Sequence, residues 1–408
     1  MRDREHGDQD FGPPPGRRRP LAHGPGEISL HGPPELATPL ADTIAGARSL
    51  DGDVLTHGFH VWPARMHRAI AGDLIALLAP RVGSTVLDPF VGGGTVAIEA
   101  RVRGHHVIGV DANPLSALVV RTKARLTSAD DRDAFGVLVE ALTERSFERV
   151  RERKGALAKI HGEHLGLYGT HTLKELAGLL EEIRSLDPQI DPADREAALV
   201  VFSSIVGKVS NRRADTSDED VRKRIRKGLS TELFQRKGHE LVERWAELSR
   251  TVRVRPGSLE VLTGDARALP RLLNGKAVDL IVTSPPYGGT YDYVDQHALR
   301  LDWLSLPRTH FERAEIGARR HGGEVERWDQ ELGDSLAAMR AVLRGPASRV
   351  ALVIGDAQLG PRRLDAHEHV LALAPRVGLR PIAGASETRP DHLGGPQRRE
   401  HVIVLGPR

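Results

Sequence analysis

The chain has 408 residues, enough for one large domain or two ordinary ones, and hydrophobic residues are 39% of it while aromatics are only 4%. Its 58 basic and 55 acidic residues leave a net +3, which permits a local patch for a polyanion without requiring one. The absence of cysteine excludes disulfides, thiolate-bound zinc, iron–sulfur clusters and any thiolate nucleophile.

Residues 1–45 are rich in Pro, Gly and charge, with Pro13-Pro14-Pro15 and Arg17-Arg18-Arg19. That composition predicts a disordered tail. Apolar spacing at Met66, Ile70, Leu74, Leu77 and Leu78 predicts a helix over 63–79. Thr85-Val86-Leu87 reads as a buried strand running into DPFVGGGT at 88–95, followed by a helix from Thr95 to about Arg103 and a strand His106–Val110 closed by Asp111. Strand, glycine turn, helix and strand with a terminal acid make a βαβ unit of the nucleotide-binding kind.

From 127 to 250 the chain turns charged and helical, with helices expected near 130–153, 171–186, 193–208, 218–227 and 231–249. The α/β pattern then returns with strands at Leu259–Leu262, Val278–Val282, Arg349–Ile354 and Glu400–Leu405 and a helix around 365–375. The expected fold is therefore a doubly wound, Rossmann-like α/β sheet. Its two parts, 46–126 and 251–408, are interrupted by a helical insertion at 127–250. No segment has the run of about 18 apolar residues a membrane span needs, and the N-terminus lacks a signal peptide's apolar core, so a cytoplasmic protein is expected.

In DPFVGGGT, Gly92, Gly93 and Gly94 let the backbone approach a ligand, and the helix opening at Thr95 points free N–H groups at it. Asp111 lies where a carboxylate accepts ribose hydroxyls; a plain glycine turn with a surface Asp is the competing reading. Asp88 suits a cationic amino group, such as that of a methionine moiety, better than pyrophosphate. Asp265 is placed to accept from an adenine amino group, or merely to cap the segment that follows.

Thr283-Ser284-Pro285-Pro286-Tyr287 leaves a buried strand at its carboxyl end, where such sheets bind ligands. Acceptors at Ser284 Oγ and the Pro285 carbonyl would hold the two hydrogens of a base amino group and aim its lone pair at a methyl donor. Tyr287 would stack on a base flipped from its helix. Tyr291 and Tyr293 follow, so three of the four tyrosines fall within seven residues; a turn whose tyrosines only cap the sheet is the plainer alternative.

Together these motifs resemble the amino-methyltransferase family of DNA methylases. Phe90 to Gly94 matches its cofactor motif, Ser284 to Tyr287 its catalytic tetrapeptide, and His57–Arg65 the stretch that precedes the cofactor motif and touches the methionine end. Tyr291-Asp292-Tyr293 through Leu301–Leu304 is also similar to members of this group. The resemblance covers roughly 55–125 and 255–405. It implies S-adenosylmethionine as cofactor, held by Asp88, Pro89, Phe90, Gly92, Gly94, Thr95, Asp111 and Asp265, with Ser284, Pro285, Pro286 and Tyr287 catalytic. Ser at the first catalytic position is commoner among cytosine-N4 enzymes and Asp among adenine-N6 enzymes, so the resemblance favours a cytosine-N4 DNA methyltransferase, adenine N6 being the alternative. RNA base methylation and a non-catalytic cofactor-binding regulatory module stay open; a nicotinamide oxidoreductase leaves Asp88 and TSPPY without a task.

In the insertion, Lys208–Arg213 and Arg222–Lys227 are dense in positive charge, and Arg212 and Arg213, with Tyr291, are the expected nucleic-acid contacts. The bland account is a helix capped by Ser217, acidic at 218–220 and basic at its end. His161 with His164 and His367 with His369 show no further ligands at metal spacing, so no metal is expected.

Overall fold

The computed structural model describes residues 26–154, 156–213, 219–289, 291–318, 325–359, 362–389 and 398–408. A strand, β1 (Ile28–His31), and a helix, α1 (Pro34–Ala47), come first, followed by α2 (Arg68–Leu78), β2 (Thr85–Asp88), α3 (Thr95–Val102), β3 (His106–Asp111) and α4 (Pro114–Lys123). A run of helices, α5 (Ala129–Arg151), α6 (Gly162–Leu165), α7 (Thr170–Arg184), α8 (Pro192–Val206) and α9 (Leu229–Thr251), precedes β4 (Leu259–Thr263). Next are α10 (Leu269–Leu272), β5 (Leu280–Thr283), α11 (Tyr293–Leu304), α12 (Thr309–Ala314), α13 (Val325–Val342) and β6 (Arg349–Gly355). A small hairpin, β7 (Ala357–Leu359) and β8 (Arg362–Leu364), leads through α14 (Ala366–Leu373) to β9 (Leu379–Arg389) and β10 (Arg398–Pro407).

Eight strands make one sheet in the order β1-β9-β10-β6-β5-β2-β3-β4. The pairs β4–β3, β3–β2, β2–β5 and β5–β6 are parallel, and β10 pairs antiparallel with both β6 and β9. This is the doubly wound Rossmann-like α/β fold. From β2 the chain winds outward to β3 and β4 on one side, and from β5 outward to β6 on the other. The order thus reverses between β2 and β5, and ligands of such sheets bind outside the carboxyl ends of the strands at that reversal. Asp88 ends β2 and Thr283 ends β5, and the Thr283 hydroxyl donates to Asp88 Oδ1 at 2.6 Å across the gap.

Two expectations are corrected. Residues 1–25 lie outside the described residues, but 26–45 are not a tail. Ile28–His31 pairs antiparallel with Gly384–Glu387, and α1 buries Ala37, Leu40, Ile44 and Ala47. The Pro that lowered the apparent order of this stretch is used: Pro34 begins the helix, where its missing N–H costs nothing. Residues 219–227 are not helical. Arg212 pairs with Asp220 across an antiparallel bridge, and Val221 N–H donates to the Asn211 carbonyl. The acid-then-basic charge pattern is spent on ion pairs, Arg213 with Glu219 and Arg226 with Glu232, and not on a helix dipole. Ser217 and Asp218 lie outside the described residues.

The helices α5 to α9 share one apolar core with the sheet domain. Phe135, Leu142, Leu176, Phe202, Phe234 and Trp245 pack with Leu115 and Val119 of α4 and with Leu301 and Trp303 of α11. Two further cores, one on each face of the sheet, join Ile281, Leu352 and Ile403 with α13, and Val86, Val282 and Val353 with α1 and α2.

Candidate active site

A cavity opens over the carboxyl ends of β2, β3 and β5, with about 880 Å³ of empty space including its open mouth. Its floor is the glycine turn. Gly92 and Gly94 hold φ of +45° and +81°, conformations that side-chain-bearing residues rarely adopt, and a Cβ on Gly92 would lie 2.8 Å from Trp62 Nε1. Beneath the turn, buried Lys123 donates to the Gly93 carbonyl at 2.6 Å; burial, with the Arg65 and Arg244 charges adding to it, pushes this amine well below its usual pKa.

Asp88 and Asp111 line the cavity. Asp88 Oδ1 accepts both the Thr283 hydroxyl and the Phe90 N–H, yet burial dominates and lifts its carboxyl to about 7. Asp111 accepts from Gly92 N–H at 2.8 Å and Asn113 N–H at 2.9 Å, and burial raises it to about 6. With four acceptor positions on a carboxylate, capacity for ligand hydroxyls remains.

Of the other expected residues, Pro89, Phe90, Gly92, Thr95, Ser284 and Pro286 also line the cavity, whereas Gly94 is the cap of α3 behind it. Pro285 is buried. Asp265 caps the turn Ala266–Ala268 and forks onto Arg267 at 2.7–3.0 Å, so Ala266, not Asp265, reaches the cavity wall. Tyr287 turns toward the sheet, where its hydroxyl donates to Glu400 Oε1 at 3.0 Å and its ring closes on Gly355. Tyr291 packs against Tyr293 with the rings tilted by 48° and 5.4 Å between centroids. Arg212, bridged to Asp220, and Arg213 are not among these lining residues.

The structure adds residues that motif spacing did not single out. Residues 63–66, expected as helix, form an irregular wall in which Ala64 has φ +52°, because α2 starts only after His67 caps it. Asn113, His297, Phe311 and Glu315 complete the lining, with Tyr293. Glu315 accepts the backbone N–H groups of Tyr293 and Val294 and so ties the start of α11 to the end of α12. The stretch His57–Arg65 and the aromatic cluster around Tyr291 pointed to parts of this wall; Asn113, Phe311 and Glu315 had no such signal.

Whether S-adenosylmethionine fits is tested by unsatisfied groups. Thr95 Oγ1 and Asn113 Nδ2 are buried, line the cavity and have no hydrogen-bond partner, an arrangement native proteins avoid unless a ligand completes it. Thr95 stands at the N-terminus of α3, where an anionic carboxylate is favoured; two acids stand where a cationic amine and a ribose would lie. The residues fit the cofactor, which supplies the methyl group when bound.

Sheet order and cavity are those of a Rossmann-like fold whose site suits S-adenosylmethionine. The UPF0020 RMKL-like methyltransferase domain model matches residues 60–146. The Type II methyltransferase M.BsoBI of Geobacillus stearothermophilus is 26% identical over 250 residues, 55% of this chain and 48% of that protein. M.MvaI of Kocuria varians is 38% identical over 72 residues, 17% of this chain and 16% of that protein. The chain thus spans less than half the length of either relative. Among solved structures, the rRNA methyltransferase aviRa of Streptomyces viridochromogenes is 16% identical with a TM-score of 0.33, over 88% of this chain and 94% of that one. The sequence matches thus support the chain's resemblance to the amino-methyltransferase family over part of its length.

Two clusters outside the cavity bear on metals. The fold brings Asp302 to His161 and His164, and Asp356 and Asp365 to His401, ligand sets that sequence spacing did not reveal. In each the contacts are hydrogen bonds: Asp302 accepts from His164 Nδ1 at 2.6 Å and from His161, and Asp356 pairs with His401 at 3.0 Å. No helix among the described residues is long and apolar enough to cross a membrane.

Proposed function

We propose that the chain methylates an exocyclic amino nitrogen of a DNA base, most directly the N4 of cytosine, using S-adenosylmethionine. The observation that carries this reading is that Ser284 and Pro286 line the same cavity as Asp88, Phe90, Gly92 and Asp111. A methyl donor on the glycine turn and an amino group at the turn after β5 therefore meet in one enclosed space. A base amino group is a poor nucleophile because its lone pair is delocalised into the ring. Ser284 Oγ and the Pro285 carbonyl hold its two hydrogens and favour a pyramidal nitrogen, and orientation supplies most of the rate. Asp88 takes the cofactor's amino group, Asp111 its ribose, and Thr95 its carboxylate.

The absence of cysteine removes the covalent route to carbon-5 methylation. The DNA preference rests on the two Type II relatives, and cytosine over adenine rests on Ser284. Tyr287 stacks on the base only after leaving Glu400, so its role requires a rotation on substrate entry. Residues 127–250 serve as the substrate-facing block, with Arg212 and Arg213 on phosphates.

The test is label transfer from methyl-tritiated S-adenosylmethionine to unmethylated DNA and, in parallel, to RNA, followed by digestion to nucleosides. Label in N4-methylcytidine of DNA supports the reading; label in RNA alone moves the substrate and keeps the chemistry. No transfer by a protein that binds the cofactor rejects it.

A further inference from the structure

We infer that His297 receives the proton that the target amino group releases as it is methylated; this role rests on the function proposed above. His297 is 1% exposed and lines the cavity together with Ser284 and Pro286, one turn along α11 from Tyr293. Neither of its ring nitrogens has a hydrogen-bond partner. Its one ring contact is Trp62 at 4.3 Å, and Trp62 packs on Gly92 and Gly93, so the imidazole bridges the cofactor turn and the catalytic turn. A buried side chain with both polar atoms unmet, facing a cavity, points to a ligand.

The chemistry requires such a group. As the new N–C bond forms and the carbon–sulfur bond breaks, sulfur keeps the bonding pair and the amino nitrogen becomes cationic. One N–H proton must leave to restore a neutral product. Ser284 Oγ and the proline carbonyls accept hydrogen bonds but are too weakly basic to keep a proton. The acids lining the cavity have other tasks in the proposed function: Asp88 and Asp111 face the cofactor's amino group and ribose, and Glu315 ties the start of α11 by accepting from Tyr293 and Val294. His297 has a bare lone pair instead. Burial, with the nearby Arg300 charge adding to it, lowers its pKa to about 3 and keeps it neutral. A methylated ring-conjugated ammonium is a stronger acid still, so the transfer runs downhill and the imidazolium then releases its proton to solvent.

The test compares wild type with His297→Asn and His297→Gln, which stay polar but cannot take up a proton. Calorimetry gives the Kd for S-adenosylhomocysteine, and tritium transfer to PCR-amplified DNA gives kcat and the KM for DNA. The expected result is a kcat loss of at least about 10²-fold, with Kd and KM changed by no more than about twofold. Wild-type turnover in either variant overturns the role. So does a rate loss matched by lost cofactor affinity in a variant that melts normally, which makes His297 a cofactor holder. A wild type that binds the cofactor but labels neither DNA nor RNA overturns the function itself, a result distinct from both.

Discussion

Asp88 sets a pH dependence that can be worked out in sign. Its carboxyl stands near 7 in the folded chain against an ordinary 3.8, with burial as the cause. Between about pH 4 and pH 7 the folded protein therefore keeps a proton that the unfolded chain has lost, and this group makes stability fall as pH rises through that window. A cationic amine bound at Asp88 favours the ionised form. The melting-temperature gain from S-adenosylmethionine should then grow from pH 5 to pH 8 and shrink in Asp88→Asn; a gain independent of pH in wild type would remove Asp88 from the cofactor's amino end. Asp88, Asp111 and Ser284 were legible in the sequence because each sits inside a contiguous motif at a strand end. His297 and Asn113 were not, since their value lies in side-chain nitrogens that have no partner, and only the packed structure shows that. Asp265 was read as an adenine acceptor or a cap, and the packed structure adds what spacing could not show: Arg267, two residues on, pairs with its carboxylate.

At the scale of elements, the glycine turn is the most demanding feature. Gly92→Ala must place a Cβ at φ +45° and 2.8 Å from Trp62 Nε1, costing about 1 kcal/mol or more for the backbone alone. It should lower the melting temperature and weaken cofactor binding by at least tenfold, roughly 1.4 kcal/mol; full affinity in this variant would mean that the turn does not touch the cofactor. The first helix makes a second prediction. Leu40 is fully buried in α1, so Leu40→Ala should destabilise the fold by about 2–5 kcal/mol in denaturant titration, whereas a tail would show no change. That stretch was hidden from composition by Pro33, Pro34 and Pro39, although Ala37, Leu40, Ile44 and Ala47 keep a helical spacing. The long strand β9 was hidden in the same way. Pro381 sits where the ladder with β10 shifts register, a place that tolerates a missing N–H.

Across the whole molecule, the helices α5 to α9 join elements that carry the site. Ser203 near the end of α8 bonds His60 at 3.0 Å and accepts from Arg300 of α11, and the basic hairpin leaves α8 just beyond. Arg212 and Arg213, the proposed phosphate contacts, lie on that segment. Reversing both to Glu should weaken DNA binding and reduce its salt slope by about two; an unaltered slope would place the phosphate contacts elsewhere. The insertion's existence was legible from its charge and helical spacing, but its route was not, because ion pairs across the hairpin and a helix dipole call for the same acid-then-basic order. The measurement that bears most directly on the central claim uses DNA from cells expressing wild type or Ser284→Ala, digested to nucleosides and analysed by mass spectrometry. N4-methylcytosine with wild type, and at least about 10²-fold less with the variant, is the expected result. A wild-type protein that binds S-adenosylmethionine yet leaves every amino group of that DNA unmethylated, or a Ser284→Ala protein that methylates as well as wild type, would contradict it.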